Sequence, residues 1–333
     1  MPQIALPAAL ALGLLAAQAA GPVGQAVGEP VAPVVPPIIE STSIAPDLAD
    51  PATEILALDE DRYRRYTVPV SIDGIGPYNF MIDTGSQATA VTDRVTSQIE
   101  LPSLGPATLV GMASRRTVQL VELDRFEMGS RTLHNIAAPV LQREHVGADG
   151  IIGLDSLQDF RVLIDFRNET IAVAVADEKG SNRGFEIIVR ARSRLGQLLI
   201  TDAQVEGVRA TVIIDTGAQA SLGNLALRDR IRARRAAQRV ETTDVNGVTL
   251  MSELNYARSL KIHGLELVNV PINFADAPAF EALGLNDQPV ISLGMEHLKL
   301  FDRVAIDFAK RRIMFDLPKD VSRAMEQWRP SRL

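Results

Sequence analysis

The stretch Phe80-Met81-Ile82-Asp83-Thr84-Gly85-Ser86-Gln87-Ala88 returns 132 residues later as Val212-Ile213-Ile214-Asp215-Thr216-Gly217-Ala218-Gln219-Ala220. Both copies consist of an apolar run followed by Asp-Thr-Gly, a small residue, Gln and Ala. Two carboxylates that face each other across one site cannot both ionise easily, so they share a proton, and one serves as acid while the other serves as base. The duplicated signature therefore predicts a catalytic pair, Asp83 and Asp215.

The duplication extends beyond the signature. A mostly apolar run that ends in Gly recurs as Ile151-Ile152-Gly153 and as Val290-Ile291-Ser292-Leu293-Gly294, and a strand-like segment ending in Asp-Phe recurs over residues 162–166 and 304–308. The glycines are 141 residues apart, and Asp165 and Asp307 are 142 residues apart. Three landmarks in the same order at nearly the same spacing indicate an internal repeat, and the drift of ten residues indicates a loop insertion in the second copy.

These residues resemble those of the retropepsin-like aspartic proteases. The match is closer to the bacterial members, in which Gly-x-Gly-Pro-Tyr-x-Phe precedes Asp-Thr-Gly, as residues 74–80 do here. The resemblance covers residues 60–317 and implies an all-β fold with minor helices, formed by two lobes with an internal pseudo-two-fold repeat and a cleft between them. Viral members often carry Arg after the partner Gly, where this chain has Leu154 and Met295. That departure affects an ion pair of the viral dimers and not the catalytic pair.

Six residues of the two signatures are predicted to support the active-site loops: Thr84, Gly85, Ser86, Thr216, Gly217 and Ala218. The hydroxyls of Thr84 and Thr216 can hydrogen-bond across to the backbone of the opposite half and so fix both loops. Gly85 and Gly217 have no Cβ, so the loops can approach each other and the attacking water. The alternative for each Asp-Thr-Gly alone is an ordinary turn at the end of a strand, but two matched copies favour the catalytic interpretation.

The residue after each Asp-Thr-Gly predicts an unequal pair. Ser86 in the first copy can donate a hydroxyl hydrogen bond to the neighbouring carboxylate, whereas Ala218 in the second copy cannot. A donor to the ionised form lowers the pKa of a carboxyl group, so Asp83 is expected to carry more of the negative charge. The alternative is that Ser86 points into solvent and the two carboxyl groups are equivalent.

Covering loops are expected over the site, because water exclusion strengthens electrostatic interactions there. Each candidate lies between an Asp-Thr-Gly and its partner glycine, over residues 110–114 and 244–248, and the alternative is an ordinary hairpin tip. The predicted substrate-binding residues of these flaps are Gly111, Met112, Ala113, Asn246 and Gly247.

Two further pairs of matched residues are predicted to be structural. Gly153 and Gly294 let an apolar strand pass tightly beneath each active-site loop. Asp165 and Asp307 are not interpreted as a second catalytic pair, because Asp in β contexts usually binds a turn at a strand end.

The remaining motifs favour ordinary structural roles. Ala226 to Arg239 is predicted to be a helix, with short helices also after Gly153, after Gly294 and in the tail. The arginines of the helix from Ala226 to Arg239 are interpreted as the solvated face of an amphipathic helix and not as a nucleic-acid site. The net charge of −7 also argues against nucleic acid, and the four scattered His residues predict no metal site. The arginines concerned are Arg228, Arg230, Arg232, Arg234, Arg235 and Arg239.

The N-terminal residues predict export. An apolar stretch too short to span a bilayer is followed by Ala17-Gln18-Ala19, which fits a signal-peptide cleavage site, although the positive residues that normally precede such a stretch are missing. An uncleaved membrane anchor is the alternative. Without Cys, the exported protein must be stabilised by core burial alone. The predicted segments are a signal peptide at 1–20, a Pro/Ala-rich linker or propeptide at 21–60, lobes at 61–176 and 185–318, and a tail at 319–333.

The sequence thus predicts a secreted or periplasmic aspartic endopeptidase that acts on an extended peptide bound between the lobes. It is expected to be a monomer, because one chain supplies both halves of the site, and to need no cofactor. The alternative function is a non-catalytic peptide-binding or scaffolding protein that keeps the same fold.

Overall fold

The structure, a computed structural model, describes residues 66–175, 185, 187–231 and 238–318, together with short strands at 15–16, 53–57 and 59–60. The predicted tail, residues 177–184 between the predicted lobes, and most of the predicted signal peptide and linker lie outside the described residues. No helix among the described residues is both long enough and apolar enough to cross a membrane.

The first half of the chain is built almost entirely of strands. The elements are β1 (Leu15–Ala16), β2 (Thr53–Ala57), β3 (Asp59–Glu60), β4 (Tyr66–Ile72), β5 (Ile75–Ile82), β6 (Ala90–Thr92), α1 (Asp93–Thr96), β7 (Ser103–Val110), β8 (Arg115–Met128), β9 (Arg131–Leu141), α2 (Arg143–Val146), β10 (Gly150–Ile152), α3 (Leu154–Leu157), β11 (Phe160–Asp165) and β12 (Thr170–Val175).

The second half repeats this order of elements. The predicted short helices after Gly153 and Gly294 are confirmed as α3 and α6. The elements are β13 (Ile187–Arg190), β14 (Arg192–Arg194), β15 (Gln197–Val205), β16 (Val208–Ile214), β17 (Leu222–Gly223), α4 (Leu225–Arg228), β18 (Gln238–Asp244), β19 (Thr249–Ile262), β20 (Leu265–Phe274), α5 (Pro278–Ala282), β21 (Val290–Leu293), α6 (Met295–Leu298), β22 (Arg303–Asp307) and β23 (Arg312–Asp316).

Each half forms one large, mostly antiparallel sheet, which confirms the predicted all-β, two-lobed fold. The first sheet has the order β3-β4-β5-β10-β6-β9-β8-β7, and β4 also pairs with β8. The second has the order β1-β18-β19-β20-β17-β21-β16-β15-β14, and β15 also pairs with β19. The strand that leads into each signature Asp lies inside its sheet and not at an edge, and it pairs in parallel with the strand of the partner motif, β5 with β10 and β16 with β21.

A third sheet joins the two halves. Its order is β13-β23-β22-β11-β12-β2, so three strands of the second half lie side by side with three strands of the first. The strands that end in Asp165 and Asp307 pair antiparallel with each other at its centre. Asp165 Oδ1 accepts the amides of Arg167 and Asn168, and Asp307 Oδ1 accepts the amide of Lys310. The predicted turn-binding role of both aspartates is therefore confirmed.

The predicted helix from Ala226 to Arg239 is present at its start as α4, but the prediction is wrong at its end. α4 ends at Arg228, and the chain from Gln238 onward is the outer strand of a hairpin with β19. Residues 232–237, with three of the arginines, lie outside the described residues. At Gln238 and Arg239 the backbone pairs with β19 instead, and such long-range pairing is not encoded in a local pattern. Arg228 is paired with Asp229 and Glu253 on the surface.

Short strands also occur where none was predicted. β2 and β3 fall inside the segment interpreted as a linker, and their backbones pair with β12 and β4 at sheet edges. β1 falls inside the predicted signal peptide and pairs with the end of β18. The edge of a sheet offers unpaired amide and carbonyl groups to any extended chain, so composition alone does not exclude pairing there.

Candidate active site

Both signature aspartates lie at the ends of buried central strands. Asp83 follows β5 and Asp215 follows β16, and the two side chains are 1% and 3% exposed. The amide of Asp83 donates to the carbonyl of Ile152 at 3.0 Å, and the amide of Asp215 donates to that of Leu293 at 3.1 Å. The parallel pairing with the partner motif therefore continues into each loop and fixes the position of the carboxyl group.

The two active-site loops are held together by reciprocal threonine hydrogen bonds. Thr84 Oγ1 donates to the carbonyl oxygen of Ile214 at 2.7 Å, and Thr216 Oγ1 donates to that of Ile82 at 2.7 Å. Each hydroxyl oxygen also accepts the amide of the opposite threonine, at 3.0 and 3.2 Å. The predicted contacts across the halves are present, and they tie both strand ends to one centre.

The glycines bring each carboxyl group against the opposite loop. A Cβ on Gly85 would fall 2.6 Å from Asp215 Oδ1, and one on Gly217 would overlap the carboxyl group of Asp83. Each carboxyl group therefore packs against the glycine of the opposite loop: Asp215 against Gly85, and Asp83 against Gly217. Any side chain at either glycine would push the two carboxyl groups out of this arrangement.

Each loop also binds its own carboxylate through two backbone amides. Asp83 Oδ1 accepts the amides of Gly85 and Ser86 at 2.8 and 3.0 Å. Asp215 Oδ1 accepts the amides of Gly217 and Ala218 at 3.1 and 3.0 Å. Hydrogen bonds from backbone amides favour an ionised carboxylate, and here they act on both aspartates at nearly equal distances.

The predicted role of the Ser86 hydroxyl is wrong. Ser86 is buried, and its Oγ donates to the carbonyl oxygen of Ala88 at 2.9 Å. The carbonyl in its own loop is a nearer partner than the carboxyl group, which the loop amides already bind. The hydroxyl therefore cannot distinguish Asp83 from Asp215 in the predicted way.

A different serine contacts the pair, and sequence reasoning missed it. Ser292 Oγ donates to Asp215 Oδ2 at 2.8 Å, and Ser292 is fully buried in β21. The sequence did hold a signal: the partner motif is Ile-Ile-Gly in the first copy and Ser-Leu-Gly in the second. A lone hydroxyl in an otherwise apolar, buried strand needs a hydrogen-bond partner, and here that partner is the predicted catalytic carboxylate.

Gly153 and Gly294 pack against the active-site loops as predicted. A Cβ on Gly294 would fall 2.6 Å from the carbonyl oxygen of Ala220, and one on Gly153 would overlap the backbone of Ala88. The residue after each glycine donates its amide to the loop, Leu154 to Ser86 and Met295 to Ala218. The partner motifs therefore support the loops from beneath through backbone contacts.

A hydroxyl in each half links the loop to the partner motif, but the groups behind it differ. Thr89 accepts the amide of Gly153 and contacts Asp155. In the second half Ser221 accepts the amide of Gly294 and lies 2.7 Å from Nδ1 of His297. Burial lowers the pKa of His297.

The predicted flaps are the tips of two long hairpins, β7–β8 and β18–β19, and the tips bind each other. Asp244, which the sequence analysis did not single out as a site residue, lies at this junction and is 1% exposed. Its Oδ2 accepts the amide of Ala113 at 3.1 Å and the hydroxyl of Ser114 at 2.7 Å. Ser114 Oγ in turn accepts Nδ2 of Asn246 at 2.9 Å. Gly247, with φ of +74°, forms the turn of the second tip.

The two tips also exchange apolar side chains. Met112 of the first tip is buried among residues of the second half, including Ile213, Leu222 and Phe280. Val245 of the second tip is buried among residues of the first half, including Met81 and Ile151. The expected flap residues are therefore brought together over one region, and each tip is anchored to the opposite lobe.

No group of three or more His, Asp or Glu side chains suited to a metal ion occurs among the described residues. The arrangement instead offers two adjacent buried carboxyl groups with amide donors around them, and two hairpins whose tips bind each other. Such a pair can activate a water molecule without a metal or a covalent intermediate.

Comparison with known protein families finds a match to each of the two halves that carry the signatures. The sequence profile of the family described as aspartyl protease matches residues 68–156 and again residues 201–297, together more than half of the chain. Each matched region contains one Asp-Thr-Gly and its partner glycine. No curated protein matches the chain significantly.

Proposed function

The chain belongs to the aspartyl protease family, and we propose that it is an exported endopeptidase that cleaves peptide bonds with water activated between Asp83 and Asp215. The observation that carries this proposal is the mutual packing of the two signatures. Each carboxyl group lies against the glycine of the opposite loop, and reciprocal threonine hydrogen bonds fix both loops.

The reaction follows from one proton shared by two carboxyl groups. The ionised aspartate takes a proton from the water, whose oxygen attacks the scissile carbonyl carbon. The protonated aspartate hydrogen-bonds the carbonyl oxygen and supplies its proton as the tetrahedral intermediate forms. The amide nitrogen is then protonated, the carbon–nitrogen bond breaks, and the pair returns to its starting protonation state. This use of a shared proton is the known behaviour of aspartic proteases.

The arrangement of the hairpin tips favours an extended peptide as the substrate. Their mutual hydrogen bonds and exchanged apolar side chains join the tips of the two lobes. In this proposal the peptide lies between the joined tips and the active-site loops. A peptide enters this cleft only when the tips separate, and it is then enclosed away from bulk water. Enclosure strengthens the interactions of the carboxyl groups with the reacting atoms.

The proposal is tested with the chain lacking residues 1–20 and a mixed peptide library analysed by mass spectrometry. Wild type is expected to cleave internal peptide bonds, and a statine inhibitor is expected to stop the cleavage. Asp83→Asn and Asp215→Asn should each abolish activity while the circular dichroism spectrum is unchanged. The double variant should be little worse than either single one, because residues that act as a unit are non-additive.

A matched control is Asp159→Asn, which changes an exposed aspartate outside the site and should leave cleavage unchanged. Near-wild-type turnover in either active-site variant would overturn the catalytic pair. Binding of library peptides without any cleavage would instead support the non-catalytic peptide-binding function.

Export and the monomeric state are parts of the same proposal. N-terminal sequencing of the protein from a secreted or periplasmic fraction should begin after Ala19 or Ala20, and an intact N-terminus in the membrane fraction would favour an anchor. Specific activity should not change on dilution, since one chain carries both halves of the site. A fall in activity that follows a dimer–monomer transition in light scattering would make the site intermolecular.

A further inference from the structure

The two halves differ at one buried position beside the carboxyl pair. Ser292 of β21 pairs with Ile213 of β16, and the equivalent residue of the first half, Ile151 of β10, pairs with Met81 of β5. Both positions are two residues before the partner glycine. The same place in the sheet therefore carries a hydroxyl group in the second half and a hydrocarbon in the first.

The two side chains face different surroundings. Ile151 is buried in the apolar cluster that receives Val245 from the opposite flap. Ser292 donates its hydroxyl hydrogen to Asp215 Oδ2 at 2.8 Å and has no measurable exposure to solvent. A branched hydrocarbon cannot supply such a donor, so the internal repeat is broken here at the pair itself.

The amides of the two loops bind the two carboxyl groups in nearly the same way. Each Oδ1 accepts two amides of its own loop, at 2.8 and 3.0 Å for Asp83 and at 3.1 and 3.0 Å for Asp215. A hydroxyl donor to the second oxygen of Asp215 stabilises negative charge on that carboxylate specifically. Because one proton is shared, charge that is stabilised on Asp215 leaves the proton on Asp83.

We propose that Ser292 is a positioning residue that assigns the two catalytic roles, keeping Asp215 as the base and Asp83 as the acid. This inference rests on the proposed function. In the reaction, Asp215 takes the proton of the attacking water as the oxygen–carbon bond forms, and Asp83 gives its proton to the carbonyl oxygen. Asp215 then passes its proton to the amide nitrogen as the carbon–nitrogen bond breaks, and Asp83 recovers a proton from the gem-diol oxygen.

The direct test is a carbon-13 NMR titration of carboxyl-labelled Asp in the chain lacking residues 1–20. Asp83→Asn and Asp215→Asn assign the two signals. In the wild type, Asp215 is expected to ionise in the step at lower pH and Asp83 in the step at higher pH. Only macroscopic steps are observed, but the chemical shift of each carbon reports its share of the proton. The titration needs no turnover, so it remains informative if peptidase activity fails.

Two variants vary the strength of the hydrogen-bond donor at position 292. Ser292→Ala removes the hydroxyl group and should raise the lower step by roughly one to two pH units, since hydrogen bonds to charged groups are of that strength. Ser292→Cys keeps a weak donor and should give a smaller shift. The acidic limb of the kcat/KM profile should move in the same order in an active enzyme. Ser259→Ala, in a strand of the same half outside the site, is the matched control.

Two results would overturn the inference. One is an unchanged lower step in both Ser292 variants, with the folded state verified by circular dichroism. The other is ionisation of Asp83 before Asp215 in the wild type. Loss of peptide cleavage in the wild type, with the titration as expected, would contradict the proposed function and leave the assigned proton distribution standing.

Discussion

Ser114 donates its hydroxyl to Asp244 Oδ2 at 2.7 Å, and this hydrogen bond joins hairpin tips that are 130 residues apart in sequence. The carboxylate divides its two oxygens between the lobes. Oδ1 accepts the amides of Asn246 and Val248 within its own turn, while Oδ2 accepts Ser114 and the amide of Ala113 from the opposite flap. One side chain therefore shapes one flap tip and holds the other.

Asp244→Asn should weaken the contact between the flaps without unfolding the second tip. The variant keeps one carbonyl oxygen for the amides of Asn246 and Val248 but turns an NH2 group toward the donors of the first flap. Loss of a hydrogen bond to a charged group costs about 1.5–3 kcal/mol, so amide exchange at Ala113 should be roughly 10- to 100-fold faster. Hydrogen–deuterium exchange read by mass spectrometry over residues 111–114 measures this effect.

Glu253→Gln is the control for that experiment, because Glu253 lies on the same hairpin as Asp244 and pairs with Arg228 at the surface. It should leave exchange at both tips unchanged. Equal protection of residue 113 in Asp244→Asn and in the wild type would contradict a flap contact held by this carboxylate.

Met112→Ala should destabilise the closed arrangement of the lobes. Met112 is 1% exposed and packs into the opposite half, and truncation of a buried Met typically costs about 2–5 kcal/mol through lost burial and the remaining cavity. Urea unfolding measures the loss, and Met251→Ala is the matched control because Met251 is 51% exposed. Equal stability in the two variants would show that the tip does not anchor to the second half in solution.

The repeat in the sequence predicted the parts of the site that depend on local chemistry. Thr84 and Thr216 have hydroxyls directly after each aspartate, and Gly153 and Gly294 follow apolar strands, so their roles follow from position in the motif. These residues make the expected contacts because both lobes fold by the same local rules. The family and the two-lobed β fold followed from the same matched segments.

The missed features depend on register and on how the lobes meet. The direction of the Ser292 hydroxyl follows from the parallel pairing of Ser292 with Ile213, which a motif alone does not define. Asp244 is a common hairpin residue until the other flap tip lies beside it. Ser86 was expected to bind the carboxyl group but has the carbonyl of Ala88 within its own loop. In each case the choice among possible partners is made by tertiary structure.

Thr84→Val should destabilise the protein by about 3 kcal/mol. The variant keeps the shape of the side chain but leaves the carbonyl oxygen of Ile214 without its donor and the amide of Thr216 without its acceptor, both in a buried place. Thr84→Ser restores the hydroxyl and should recover most of the loss in urea unfolding. Thr117→Val, at an exposed strand position, should change stability little.

Combining variants of both threonines gives a stronger test of the contact between Thr84 and Thr216. Thr84→Val and Thr216→Val remove groups that contact each other, so their effects on the free energy of unfolding should not add. The double variant should be clearly more stable than the sum of the single losses predicts. Simple additivity would mean that the two loops are fixed independently.

His297→Asn should reduce the loss of stability at acidic pH. Burial lowers the pKa of His297 from 6.5, so below pH 6.5 the unfolded chain binds a proton that the folded chain does not. The wild type therefore loses up to about 1.4 kcal/mol per pH unit from this group as the pH falls from 6.5 toward the lowered pKa. An Asn side chain does not titrate in this pH range and can still hydrogen-bond Ser221.

Urea unfolding at pH 7.5 and 5.5 should show a smaller difference in stability between the two pH values for His297→Asn than for the wild type. His263→Asn, at an exposed turn, should retain the wild-type difference, and an equal difference in all three proteins would exclude His297 as the cause.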